Sequence, residues 1–134
     1  MGKLTSFKEL KTWQKGTEIA KSVYALVQKF PKEESAGLAS LIKRSAISIP
    51  SYVAEGFLRF YKAENKQSLK MALGSVAELE TQLSIAQELN LVKTSELGEI
   101  SEKIDHITRM IITALKNLSD TNGLPKESQQ PLIN

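Results

Sequence analysis

The chain has 134 residues, 41% hydrophobic and 25% charged, with seven glycines, four prolines and no cysteine. That length suits one domain with one continuous core, and so few turn-forming residues argue against a β protein. Without cysteine there can be no disulfide, thiolate zinc site or cysteine nucleophile.

The net charge of +3 conceals an asymmetry. Met1 to Lys70 carries 13 Lys/Arg against 6 Asp/Glu, and Met71 to Asn134 carries 5 against 9, so the halves are +7 and −4. Such a split steers anionic partners to one surface or lets the two halves pack with complementary charge. No apolar run reaches the length of a signal peptide or a membrane span, which makes a cytoplasmic location the expectation.

Ser6 and Glu9 have capping-box spacing and predict a first helix from there to about Lys29. Inside it Leu10, Trp13, Thr17, Ala20, Tyr24 and Val27 recur by three and four, beside a second stripe of Gly16, Ile19, Val23, Leu26 and Phe30. Pro31 ends it, because its ring disfavours the α conformation at Phe30. A second helix is expected from about Ala36 to Tyr61, bent near Ala46 by Pro50 but continued by apolar residues on both sides.

The third helix, from about Asn65 to Leu89, carries Leu69, Ala72, Val76, Leu79, Leu83 and Ala86 in the same alternation, with Asn90 as a left-handed cap. Thr94 is read as the cap of a fourth, ending near Ser119, whose Leu97, Ile100, Ile104, Ile107, Ile111, Ala114 and Leu118 form the cleanest seam. Residues 120–134 are polar and aperiodic and read as a disordered tail behind a domain of residues 1–119. The fold class is therefore all-α. Short connections make the four helices an antiparallel, up-down-up-down bundle with a proline-kinked second helix.

That second helix has too little polar surface for a monomer. At 100° per residue, Arg44, Ser48, Ser51, Glu55, Arg59 and Lys62 fall within a sector of about 80°. Nearly all the rest is apolar, Lys43 excepted. Leaving Tyr52, Leu58 and Phe60 in water would forgo several kcal/mol at roughly 25 cal/mol per Å2, which makes them candidates for an oligomer interface. Cover by the residues 30–35 loop or by the tail would do the same within one chain.

Four segments together resemble a known family: FKELKTWQKG at Phe7 to Gly16, FPKEE at Phe30 to Glu34, KRSAISIPSYVAEG at Lys43 to Gly56, and ALGSVAELETQL at Ala72 to Leu83. The chain resembles the four-helix-bundle proteins named for 23S rRNA intervening sequences. Those are similar in fold to the accessory protein of diversity-generating retroelements, a basic pentamer that binds a reverse transcriptase and nucleic acid. The resemblance implies a homo-pentamer with an RNA-linked, ribosome-associated role. Tyr52 stands where the family more often has asparagine.

Arg44, Arg59 and Lys62, continued by Lys66 and Lys70 on the next helix, are the candidate contacts to RNA or another partner, since phosphates need only clustered cations on a rigid surface. Glu55, within the stripe, can pair with Arg59 and weaken its field. Lys8, Lys11 and Lys15 form a second, generic row. Ser75, Glu78 and Gln82 recur at helical spacing and suggest a polar network that fixes register. Glu99, Glu102 and His106 share a face of the fourth helix, but one histidine cannot supply the paired Glu-x-x-His motifs of a di-metal bundle.

Neither a nucleophile with an adjacent base nor a phosphate-binding glycine loop is visible. The expectation is a non-enzymatic, homo-oligomeric binding or scaffold protein without cofactor, metal or small-molecule substrate, whose partners are itself and RNA or a nucleic-acid-processing protein. The alternative is an adaptor that docks a partner helix on the apolar girdle without binding nucleic acid.

Overall fold

A computed structural model describes residues 6–34, 36–59 and 61–119. Four α-helices follow one another: α1 (Lys11–Val27), α2 (Leu38–Phe57), α3 (Lys62–Glu88) and α4 (Thr94–Ser119), with short 310 turns at Phe7–Glu9 and Lys32–Glu34. The expected tail at 120–134 and the side chain of Phe60 lie outside the described residues.

The capping box forms, but on the 310 turn and not on α1. Ser6 Oγ accepts from the Lys8 amide at 3.1 Å, and the Glu9 carboxylate accepts from the Ser6 amide at 3.3 Å. Leu10 is then extended (φ −72°, ψ 128°), so the first helix starts afresh at Lys11. Packing accompanies the break, for Phe7 stacks edge-on against Trp13 with ring centroids 5.6 Å apart, holding the turn against the helix. At the other end Phe30 is buried and Pro31 follows, as the sequence predicts.

Helix α2 runs through Pro50 without a break. Proline removes one amide donor there, and the serines on either side turn inward on the backbone: Ser48 Oγ donates to the Arg44 carbonyl at 2.8 Å and Ser51 Oγ to the Ile47 carbonyl at 2.9 Å. Gly16 of α1 lies directly against Pro50, where a Cβ would come within 3.1–3.3 Å of the proline. Glycine is what lets the two helices approach at this level.

Helix α3 ends in a Schellman motif. Asn90 takes φ 61°, its amide bonds the Gln87 carbonyl at 3.0 Å, and the Leu91 amide bonds the Ala86 carbonyl at 2.9 Å. Thr94 does not cap α4. Its hydroxyl accepts from the Gln87 side-chain Nε2 at 2.6 Å, and the cap comes from Glu96, whose carboxylate accepts from the Lys93 backbone amide at 2.8 Å.

Each helix packs on its chain neighbours, and α4 closes against α1; the α2–α3 interface is the most extensive. Two contacts, Lys29–Glu96 and Lys103–Ser22, set α1 antiparallel to α4, because the second lies seven residues back on α1 and seven on along α4. Ile19, Val23, Ile42, Ile49, Leu79, Ile104, Ile107 and Ile111 form the fully buried centre. They come from all four helices, and those on α1, α3 and α4 belong to the seams that the sequence spacing predicted.

The Lys93 amide bond, then the Lys29 hydrogen bond, hold the Glu96 carboxyl below the usual carboxylate value; attraction to Lys29 and Lys93 adds to this and burial opposes it. A lowered folded pKa means stability that is present above the unfolded value and lost as pH falls through the folded one. Glu96→Gln is therefore expected to lower the thermal midpoint at neutral pH and to converge with the parent in acid, once the pH has fallen below the lowered folded value. Thermal melts across that range check it; a gap constant with pH would remove the charge from the account.

Candidate interaction surface

The outer side of α2 carries the site. Arg44, Ser51, Glu55 and Arg59 are exposed and Ser48 is half-buried, so the polar sector read from the sequence faces outward. Apolar residues flank it: Leu41 is 46%, Ile47 44% and Leu58 56% exposed. None of the described residues covers them. Tyr52, read from the sequence as a candidate for an oligomer interface, is half-buried within the chain and packs on the core, with its edge in a shallow groove of ≈ 430 Å3 beside Arg44, Ile47, Ser51 and Glu55.

The cationic candidates divide. Arg59 is ion-paired with Glu55 at 3.2 Å, the pairing that i, i+4 spacing predicts, and this offsets its charge. Arg44 makes no ion pair among the described residues. Lys62 and Lys66 are half-buried and Lys70 is exposed on α3, at a four-residue repeat that keeps them on one face. Arg44 lies fifteen residues before Arg59, which follows the end of α2, so Arg44 stands apart along the chain from the other four candidates.

Two other clefts lie between helices. One of ≈ 420 Å3 between α1 and α4 is lined by Lys15, Lys103, His106 and Arg109 together with Glu102 and Asp105, a mixture that favours neither sign. Glu99, Glu102 and His106 are all exposed, and the described residues contain no cluster of three ligating side chains. The second cleft, of ≈ 270 Å3, lies by Tyr24, where Lys43 sits 5.3 Å from the ring centroid in a cation–π contact.

Within the chain the expected Ser75–Glu78–Gln82 network does not form. Ser75 is buried and Glu78 is exposed, and among the described residues no hydrogen bond joins the three. Gln82 Oε1 is buried without a partner. Sequence reasoning also missed the outer side of α3, where Met71 and Ile85 are nearly half exposed. Their fourteen-residue separation, two heptads, was the available signal.

No described helix is long and apolar enough to cross a membrane. A search of the curated proteins returns no match. Among solved structures, the chain is similar to a protein of unknown function from the S23 ribosomal protein family of Bacteroides thetaiotaomicron VPI-5482. The TM-score is 0.71 at 19% identity, over 78% of this chain and 98% of that one, a likeness of fold. The features of the 23S rRNA-intervening sequence protein family run through residues 8–113, from the first helix into the fourth, and the chain belongs to that family.

Proposed function

We propose that the protein is a non-enzymatic helical bundle that assembles with copies of itself, as a pentamer, and serves as a binding or scaffold protein in an RNA-linked process in the cytoplasm. The observation that carries this reading is the outer face of α2, where Leu41 and Ile47 stand half exposed beside Arg44, Leu58 stands half exposed at the C-terminal end, and no described residue covers them. Apolar surface in that arrangement favours burial against another molecule. Family membership supports the RNA link, and clustered cations supply the chemistry that phosphates need.

Light scattering over a range of concentrations is expected to return a constant multiple of the 14.8 kDa chain mass. Binding to single-stranded RNA should weaken with salt, and replacing Arg59, Lys62 and Lys66 together by alanine should reduce the slope of log K against log salt by about 2, at roughly 0.7 per lost phosphate contact. An unchanged slope would remove these cations from the interface. A chain that stays monomeric would favour an adaptor, with a partner helix laid in the groove beside Tyr52.

A further inference from the structure

The outer face of α3 contains an anomaly that the fold of one chain does not use. Gly74 lies in the interior of a 27-residue helix and is exposed, and a Cβ built on it would meet nothing within 4 Å. Glycine weakens a helix interior, so a glycine with open space around it has no purpose within the chain. It belongs to a seam: Met71, Gly74, Glu78, Thr81 and Ile85 follow one another by three, four, three and four. All five are exposed. Alongside them lies the buried Gln82 Oε1, an acceptor still lacking a donor.

The outer face of α2 has the same spacing in Leu41, Arg44, Ser48, Ser51, Glu55 and Leu58. The two faces also share a register. Gly56 is level with Asn65 and Ser68, since a Cβ on it would lie 2.9 and 3.1 Å from those side chains. The four-residue connection makes α2 and α3 antiparallel, so twelve residues back from Gly56 to Arg44 corresponds to twelve residues on, at 77–80, which contains Glu78. By the same count Ser48 is level with Gly74.

We propose that the outer face of α2 in one copy docks on the outer face of α3 in the next, around Gly74; this rests on the self-association reading above. In a ring whose axis is parallel to the helices each copy keeps its residues at their own height. Arg44 then meets Glu78, opposite charges that have no ion-pair partner among the described residues of their own chain. Ser48 meets Gly74, small against small, so the two helices can approach closely. Adjacent helices of a four-helix bundle face outward at about 90°, and a head-to-tail contact between such faces closes after about four or five copies.

The test is solution mass by light scattering, with helicity measured in parallel, on the full chain and four variants. Gly74→Gln has room within the chain and should keep its helicity, yet the mass should fall to that of one chain. Arg44→Glu and Glu78→Arg should each do the same. The double variant Arg44→Glu/Glu78→Arg should recover the parent's mass, because every contact again joins opposite charges. A parent that assembles while Gly74→Gln and both single reversals keep its mass would overturn the α2–α3 contact and leave self-association standing. Singles that fall without recovery in the double would overturn the Arg44–Glu78 register. A monomeric parent would overturn both readings.

Discussion

Replacing Gly16 by valine is expected to cost about 1–3 kcal/mol of folding stability, an overpacking penalty at the α1–α2 contact. The first added carbon would lie 3.1 Å from Pro50 Cβ, 3.2 Å from Cδ and 3.3 Å from Cα. A flexible neighbour could swing aside, but the buried ring of Pro50 cannot, so the helices must separate. Opposing this is the gain in helix propensity on removing glycine, about 1 kcal/mol for alanine and less for β-branched valine. For Gly16→Ala the two terms are comparable, and the net change should stay within about 1 kcal/mol. For valine the two further methyl groups decide the sign. Urea unfolding of the three proteins at one pH measures this, and a valine variant as stable as the parent would show that the contact yields.

Truncating Ile107 to alanine should cost about 2–5 kcal/mol, whereas Ile112→Ala should change stability by less than about 0.5 kcal/mol. The two isoleucines are on the same helix and differ in surroundings. Ile107 is fully buried and Ile112 is 49% exposed. Removing the first leaves a cavity that packed neighbours fill only in part, and removing the second leaves water. Paired denaturation curves are the measurement. Equal losses would mean that Ile112 is covered in solution by something other than the described residues.

The core was legible because burial and helical period are one constraint: Ile100, Ile104, Ile107 and Ile111 can meet a common interior only from one side of α4. Asn90 and Pro31 were legible because each restricts its own backbone or its neighbour's. Thr94 misled because its partner, Gln87, comes from the end of another helix, and no local rule contains that distance. Ser6 and Glu9 formed their box on a different element, the turn that the Phe7–Trp13 contact holds against α1. Ser75, Glu78 and Gln82 share a spacing, but spacing alone does not say how far a helix is rotated toward its neighbours, and Glu78 ended on the wet side. On the surface, the excess apolar girth of α2 was visible in the sequence, while the half-burial of Tyr52 depended on the neighbouring core.

The contact between Phe7 and Trp13 also governs what light reports about this molecule. Trp13 is the one indole in the chain, and it sits where the N-terminal turn folds back on α1, partly buried and packed at the margin of the core. Its emission is therefore sensitive to whether that turn is docked, as well as to whether the bundle is intact. Far-ultraviolet dichroism reads the helices alone. A fluorescence transition that precedes the loss of ellipticity would record the turn peeling from a folded bundle, and coincident transitions would mean that turn and bundle come apart as one unit.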